Sequence, residues 1–499
     1  MSNTAVTVSG ENVPNNVKNK NKIQLSGSAS LTIENGGSLS PADWIILPGA
    51  TASVTVTGAG STLTTGEVQI TESGASLKVE DQGKAVLNKL NLDKGQTLVT
   101  GQGSSLQVKA DGSFRVGNNG AATLQIKDGG ALTSDTMLTL TNTNTDSATL
   151  GIDGAGSSLN VSGEVSSGAG GTTAITVLNG GSLNSQGATL GKSDGNKTTV
   201  LIDGAGSRWT NTGAITLNAQ ASVQLRNGGA LDLGDKTLTL TGQNTSLNLG
   251  GTNTEGAAAT GTLHAAAVAF SKSDATAATQ ALVFNHSDSE GFEFGAKLSG
   301  DGKVILKHGL TRLSADSSQF SGSTEIAGGS LQVVGKLGGK LNLINGELQV
   351  SGTVDTPEAL TLTQDTSDTA SLLISGSGAS LTTAQTVDSS TGGGMASIKI
   401  LDGGSLNSQG ATLGKSDGDK TTSVLIDGVG SRWTTTAKPF TLNDNATLQL
   451  RNGGTLDLGD QALTLSGKDA EVSIGSLSTE AAVAPGLLKT PEVAFATNK

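Results

Sequence analysis

The phrase closest to a ligand-binding motif is Gly187-Ala-Thr-Leu-Gly-Lys-Ser193, which is repeated from Gly410 to Ser416. Its Gly-Lys-Ser ending is the one that a phosphate-binding P-loop uses to cradle a nucleotide. A P-loop has four residues between its glycines, whereas this phrase has three. No helix is predicted to follow, so no helix N-terminus could hold phosphate. We therefore predict a structural corner in both copies.

Hydrolytic chemistry would need a histidine with a nucleophile, or a pair of carboxylates. The three histidines His264, His286 and His308 have no partner at triad or metal-ligand spacing, and neither a G-x-S-x-G nor a G-D-S-G motif is present. We predict that they are solvent-facing or corner imidazoles. A triad assembled from distant parts of the chain remains open at this point.

Two acidic pairs could in principle cleave glycosidic bonds, namely Asp203 with Asp235 and Asp427 with Asp460. Asp203 and Asp427, however, stand directly before glycine, where aspartate is a routine turn residue. Stacked carboxylates could bind calcium, but neither a D-x-D-x-D-G loop nor a G-G-x-G-x-D repeat occurs. We predict no catalytic residue, no cofactor and no metal site.

The most distinctive side chains are two arginine–tryptophan pairs, since the chain has only three tryptophans. Arginine and tryptophan are enriched at the energetic centres of protein interfaces. Leucine takes the tryptophan's place in related phrases, for example at Leu63 and Leu159, so the favoured interpretation is that tryptophan fills a core. The interaction candidates are Arg208, Trp209, Arg226, Arg432, Trp433 and Arg451.

The composition and the charge of the chain exclude several kinds of function and of structural site. Glycine numbers 72 of 499 residues, aromatic residues make up 2%, and there is no cysteine. Lysine and arginine total 31 against 43 acidic residues, a net charge of 31 − 43 = −12 without a basic stripe. Nucleic-acid binding is thereby excluded, because no cluster of cations could displace phosphate counterions. Disulfides and thiolate metal sites are excluded as well.

Two short phrases alternate along the chain at intervals of about 22 to 26 residues. One is typified by Ile152-Asp-Gly-Ala-Gly-Ser-Ser-Leu159 and the other by Val177-Leu-Asn-Gly-Gly-Ser-Leu183. Alternating apolar and polar residues predict half-buried strands, and the glycine phrases predict tight corners with positive φ. A single coil cannot bury its inner face, so the coils must stack. The sequence predicts an all-β, parallel β-solenoid of about 20 coils.

A longer duplication overlies the short repeat. Residues 146 to 273 recur from residue 369 onward, with offsets that grow from 404 − 181 = 223 to 451 − 226 = 225. We predict four segments, namely N-terminal coils at 1–145 that could include a cap, a first copy of the long repeat at 146–274, a different strand-repeat segment at 275–367 and a second copy at 368–499. The second copy stops where the first leads into further coils, so we expect the chain to be a fragment of a longer parent.

The repeats resemble those of a known family. The segment from Leu298 to Val333 resembles the autotransporter-associated β-strand repeat, and the D-G-A-G-S-x-W and N-G-G-x-L phrases resemble passenger repeats of AIDA-type autotransporter adhesins of Gram-negative bacteria. The resemblance implies a right-handed parallel β-helix passenger, exported through the periplasm and outer membrane by a C-terminal barrel that the parent chain would supply. It implies display on the cell surface.

Adhesion is the function that this resemblance implies, in the form of self-association between cells, biofilm formation or binding to host surfaces. The expected partners are a second copy on a neighbouring cell, or a host matrix protein or glycan, and not a nucleic acid. Outward ladders of Thr, Asn, Ser and Asp would supply many weak contacts. The alternatives are a polysaccharide- or peptide-cleaving β-helix and a spacer stalk that carries another domain.

Overall fold

The computed structural model describes residues 1–168, 170–192, 195–271, 280–415, 420–476 and 481–496. The chain forms two compact units, the first comprising Met1–Gly251 with Ala258–Gln280 and the second Thr252–Ala257 with Ala281–Lys499. The described residues contain strands and no helix, so no apolar helix of membrane-spanning length occurs among them. The architecture is a parallel β-solenoid of about 19 turns, which confirms the predicted fold class. The division into four segments stays a prediction.

Three parallel sheets run through the first unit, and each coil after the first contributes one strand to each sheet. Sheet A contains Ala5–Ser9, Ser30–Glu34, Ser53–Thr57, Ser76–Glu80, Gly95–Thr100, Ala121–Lys127, Ser147–Asp153, Thr172–Leu178, Thr198–Asp203, Ala221–Arg226 and Ser246–Gly250. Sheet B contains Ser38–Leu39, the first halves of Thr62–Ile70 and Lys84–Leu92, then Ser105–Val108, Ala131–Ser134, Ser158–Val161, Ser182–Ser185, Arg208–Asn211, Ala230–Asp232 and Thr262–His264. Sheet C contains Lys22–Gln24, Trp44–Leu47, the second halves of the same two long strands, then Phe114–Val116, Leu138–Leu140, Glu164–Ser166, Gly187–Leu190, Ile215–Leu217, Thr237–Thr241 and Ala267–Ser271.

The second unit repeats this three-sheet plan. Sheet D contains Ala281–Asn285, Lys303–His308, Ser323–Ile326, Lys340–Leu343, Leu360–Leu362, Thr386–Asp388, Gly410–Leu413, Phe440–Leu442, Leu463–Leu465 and Val493–Phe495. Sheet E contains Phe292–Phe294, Leu310–Leu313, Ser330–Val333, Gly346–Val350, Thr369–Ser375, Met395–Leu401, Thr422–Asp427, Ala446–Arg451 and Glu471–Ile474. Sheet F contains Asp316–Ser317, Lys336–Leu337, Thr353–Thr356, Ser380–Thr383, Ser405–Ser408, Arg432–Thr435, Thr455–Asp457 and Leu487–Lys489, and a further strand, Lys297–Gly300, lies beside its first member.

The strands are held in register by their alternation of apolar and polar residues. In Ser147–Asp153 every second residue is buried, and Leu150 and Ile152 are 0% exposed. Each of them pairs with an apolar residue of the next coil, Leu150 with Ile175 and Ile152 with Val177. Fully burying such a side chain contributes about 1.5–3 kcal/mol, and a shift by one residue would turn every apolar side chain outward. The core is therefore a set of aliphatic columns inside the coils.

The corners form where the glycine phrases were predicted to turn the chain. Asn179 has φ of 53° and Gly180 has φ of 86°, both in the left-handed region that asparagine and glycine tolerate best. The following Gly181 has a different constraint, because a Cβ there would lie 2.7 Å from the carbonyl oxygen of Ile152 in the preceding coil. The Asn-Gly-Gly phrase thus combines a left-handed corner with close contact between coils.

Candidate functional site

The serine of the G-x-G-S phrase joins neighbouring coils at the corner. Ser157 is 0% exposed, and its Oγ accepts a hydrogen bond from the Gly129 N–H at 3.0 Å while donating one to the Asp153 carbonyl at 2.6 Å. The same inter-coil bond, 3.0 to 3.1 Å long, is made by Ser61 with Gly36, Ser104 with Gln82, Ser207 with Gly180, and Ser431 with Gly403. The two short phrases are therefore bonded partners, and this serine is structural.

The acidic residues that were considered for glycoside cleavage are engaged in other contacts. The Asp203 carboxylate accepts hydrogen bonds from Arg226 Nε at 2.8 Å and Asn227 Nδ2 at 2.8 Å. Asp235 pairs with Lys236, whose ammonium group lowers the pKa of that carboxyl. No described contact joins Asp203 to Asp235, so the arrangement is that of a corner clamp.

The second copy of the long repeat builds the same clamp. Asp427 accepts hydrogen bonds from Arg451 Nε at 2.7 Å and from Asn452 Nδ2 at 2.8 Å. Of the interaction candidates, Arg226 and Arg451 are thus half-buried partners of these aspartates. Their guanidinium groups stabilise a corner on each unit.

Both candidate tryptophans lie in the core. Trp209 and Trp433 are 0% exposed, and their indole N–H groups donate to Ser185 Oγ at 3.0 Å and to Ser408 Oγ at 2.9 Å. The interpretation of these residues as core is confirmed, and the prediction that they take part in an interaction surface is corrected, since a buried indole offers no surface to a partner. Serine in the preceding coil supplies the partner that a buried indole N–H requires.

Arg208 and Arg432 are the exposed members of the candidate set. Arg432 lines a groove of about 230 Å³ on sheet F, which we name the Arg432 groove. Its walls are formed by Gly430, Ser431, Arg432, Thr434, Thr455, Asp457 and Lys489. Sequence reasoning found the arginine but missed Asp457 and Lys489. These two residues are 32 positions apart, longer than the usual coil, so their pairing could not be read from the repeat period.

The Gly-Ala-Thr-Leu-Gly-Lys phrase was predicted to be a corner, and it is a strand followed by a corner. Gly187–Leu190 and Gly410–Leu413 are strands, and Gly191 has φ of 79°. The Gly191 N–H donates to the buried Ser167 Oγ at 3.0 Å, so it does not point into a phosphate cradle. The last residue of each phrase, Ser193 and Ser416, lies outside the described residues.

One histidine lies in the core, contrary to the prediction of three exposed or corner imidazoles. His286 is 0% exposed, with Nε2 2.8 Å from Thr311 Oγ1 and Nδ1 3.4 Å from Asp288 Oδ2. Burial lowers the pKa of His286, Asp288 opposes that shift, and nearby His308 reinforces it. His286 follows Ala281–Asn285, a strand whose residues from Leu282 to Asn285 are all buried, so the strict alternation that would have given its direction is absent here.

The Thr311, His286 and Asp288 side chains have the order of a hydrolase triad but not its accessibility. Thr311 is also 0% exposed, so no substrate carbon can approach its Oγ1. The other two histidines are exposed, and His264 contacts Asp232. Across the described ranges, no group of three or more His, Cys, Asp or Glu side chains is placed to hold a metal ion.

Outward residues form rows because the strands are parallel and in register. Asn160, Asn184 and Thr210 are paired in successive coils of sheet B, and Asn184 Nδ2 donates to Asn160 Oδ1 at 2.7 Å. On sheet A, Thr7, Thr32 and Thr55 are paired in the same way. Sheets A and B therefore present regular rows of hydroxyls and amides on their outer faces.

The amino-acid sequence matches no protein-family model and no curated protein. Among solved structures, one chain that matches is a hyper-glycosylated fragment of TibA whose glycosylation is catalysed by TibC. The likeness covers 97% of this chain and 100% of that fragment, at 13% sequence identity and a TM-score of 0.22. At this TM-score the likeness carries no conclusion about function, which depends on the residues described above.

Proposed function

We propose that the chain is the displayed passenger part of a bacterial cell-surface adhesin, acting through the outward faces of its β-solenoid. Its partners are a second copy on a neighbouring cell, giving aggregation and biofilm formation, or a host matrix protein or glycan. Export proceeds through the periplasm and the outer membrane. The role is binding, and the chain carries out no catalysis.

The observation that supports this proposal best is the array of outward polar rows. Each hydroxyl or amide in a row such as Thr7, Thr32 and Thr55 makes only a weak contact by itself. Regular spacing lets a second extended surface engage many of them together, and the affinity then rises through multiplicity. A row of this kind has no need of a pocket or of an activated nucleophile.

The experiment is display of the chain on non-aggregating bacterial cells, with measurement of cell settling and of binding to immobilised matrix proteins. We expect displayed cells to settle faster or to bind matrix more strongly than cells without the chain. The matched control displays an unrelated β-solenoid of equal length, which separates binding from spacing. Equal settling and equal matrix binding for the two solenoids would refute the adhesive role and favour the spacer.

A further inference from the structure

The Arg432 groove brings three charged side chains together on the outer face of sheet F. Arg432, Asp457 and Lys489 come from three strands that lie side by side, with Arg432 paired to Thr455 and Asp457 paired to both Thr434 and Lys489. Lys489 Nζ lies 3.2 Å from Asp457 Oδ2. Because all three residues point outward from paired strands, the rigid sheet fixes their separation without any ligand.

Positive charge exceeds negative charge in this groove. Arg432 and Lys489 against Asp457 leave a local balance of 2 − 1 = +1, in a chain whose net charge is −12. The Gly459 N–H, with Lys489 and the charge of Arg432, holds the pKa of Asp457 below its usual value against the effect of burial. The Arg432 guanidinium has no hydrogen bond or ion pair to any described residue, so its donors face the groove unused.

The first unit carries a counterpart on sheet B. Arg208, Thr210, Asp232 and His264 occupy the positions of Arg432, Thr434, Asp457 and Lys489. His264 Nδ1 lies 2.8 Å from Asp232 Oδ1. Burial opposes ionisation of Asp232, but the Gly234 N–H, His264 and the charge of Arg208 together lower the pKa of this carboxyl.

The two copies have diverged around this set. Ala230 stands where the second copy has Thr455, and Thr262 stands where it has Leu487. The arginine, the threonine and the aspartate are identical in both copies, and the fourth position is basic in both. The arginine, the threonine, the aspartate and the basic residue are therefore retained in both copies, although neighbouring outward residues on the same strands differ.

We propose that the Arg432 groove, and its counterpart at Arg208, bind acidic sugar residues of a glycan. A free guanidinium pairs with a carboxylate or a sulfate through two parallel hydrogen bonds. A fixed carboxylate such as Asp457 accepts hydrogen bonds from sugar hydroxyls, and Thr434 and Thr455 can both donate and accept. A donor that binds anions beside an acceptor that binds hydroxyls matches an acidic sugar, which carries both an anionic group and hydroxyls.

The size and lining of the groove agree with one sugar unit at a time. Its volume of about 230 Å³ is below the roughly 300–1,000 Å³ of pockets that enclose drug-sized ligands. Its lining contains no aromatic ring, so recognition rests on charge and hydrogen bonds. This proposal rests on the adhesive function and names the chemical class of its partner. Two such residue sets on one chain would raise the affinity for a polymer that carries many acidic sugars.

The test measures binding of the purified full chain to polygalacturonate, dextran sulfate and neutral dextran by surface plasmon resonance. We expect binding to polygalacturonate or dextran sulfate and none to dextran, and these two acidic probes distinguish a carboxylate from a sulfate source. The double variant Arg208→Gln/Arg432→Gln should weaken binding by about tenfold or more, the effect of losing charge-assisted hydrogen bonds. The matched control is Arg115→Gln, an exposed arginine on sheet C, which should change binding by less than about twofold.

Three results would overturn the proposal, namely no binding of the wild-type chain to either acidic polymer, equal binding to neutral dextran, or equal loss in the Arg115→Gln control. Analytical sedimentation of the same proteins tests whether a second copy of the chain binds in the groove instead. If the wild-type chain self-associates and the double variant does not, the groove binds an acidic segment of a second copy, and the glycan proposal is wrong. Adhesion itself is tested separately: displayed cells that aggregate without binding either polymer would leave the adhesive function standing while refuting this one. Unchanged thermal unfolding of both variants shows that a loss of binding does not come from misfolding.

Discussion

Ser157 shows how one residue links two coils that are far apart in sequence. Its Oγ bonds the Gly129 N–H, 28 residues away, and the Asp153 carbonyl within its own corner. The Gly129 N–H lies in the corner beyond the strand, and Asp153 is the last residue of the strand Ser147–Asp153. A buried backbone group left without a partner is costly, so the serine hydroxyl stabilises the stack where the strand ladder is interrupted.

Replacing this serine should weaken the stack locally. We expect Ser157→Ala to lower the free energy of unfolding of the first unit by about 1–2 kcal/mol, because the half-buried Gly129 N–H loses its acceptor. Its neighbour Ser158 points outward and forms no described side-chain hydrogen bond, so Ser158→Ala is the matched control and should change stability by less than about 0.5 kcal/mol. Urea unfolding with hydrogen exchange of residues 121–134 measures both. Similar losses in the two variants would show that the inter-coil bond does not matter.

Sequence reasoning located the corners but not the bonds between them. Positive φ at Asn179 and Gly180 follows from residue type alone, and it was predicted. The contact between a serine and a glycine in another coil depends on the register of stacked coils, which a repeat period of about 22 to 26 residues leaves undetermined. The Arg432 groove was also missed because it depends on register. Lys489 is 32 residues from Asp457, so the usual repeat period does not predict that the two are paired.

At the scale of the strand, alternation decides which face each residue takes. Trp209 pairs with Leu183 before it and Leu231 after it, so an apolar column determines its inward direction. The leucines at equivalent positions were visible in the sequence, and they made the core interpretation the favoured one. Alternation does not account for His286, which follows a run of consecutive buried residues, and histidine by itself predicts a surface position.

The buried His286 makes the second unit sensitive to acid. Because burial lowers its pKa below the ordinary value of 6.5, the unfolded chain binds a proton more readily than the folded chain does. Stability is then fully present above pH 6.5 and falls as the pH drops below it. We expect urea unfolding of residues 281–313, followed by pulsed hydrogen exchange at pH 7.5 and pH 5, to show lower stability at the acidic pH.

Variants of two histidines isolate this effect. His286→Gln should remove most of the difference between the two pH values, since glutamine does not titrate. His264→Gln, at an exposed histidine of the first unit, should leave the pH response of residues 281–313 as it is in the wild-type chain. An unchanged pH response in His286→Gln would assign the acid sensitivity to other groups.

At the scale of the whole chain, the long duplication builds the same local arrangements of side chains in both units. The corner clamps at Asp203 and Asp427, the buried indoles at Trp209 and Trp433, and the charged residue sets at Arg208 and Arg432 all recur. The sequence was sufficient to predict the fold class, because the period, the corners and the strand alternation agree. The ligand could not be predicted, because outward side chains are free of the packing constraint that makes inward ones readable.

The register of stacked coils is the physical claim on which the outward rows, the groove and the proposed function depend. The chain has no cysteine, so pairs of introduced cysteines report register directly. Asn160 with Asn184, and the equivalent Thr382 with Asn407 in the second unit, are paired on adjacent strands. Adjacent strands lie about 4.8 Å apart, within disulfide range, whereas strands two coils apart are separated by about 9.6 Å.

The most direct test is mass-spectrometric detection of disulfides after mild oxidation of such variants. We expect Asn160→Cys/Asn184→Cys and Thr382→Cys/Asn407→Cys to form intramolecular disulfides, each in its own unit. Asn160→Cys/Thr210→Cys, whose positions are two coils apart, should remain reduced under the same conditions. Free thiols in both adjacent pairs, or equal crosslinking of the two-coil pair, would contradict the stacked register.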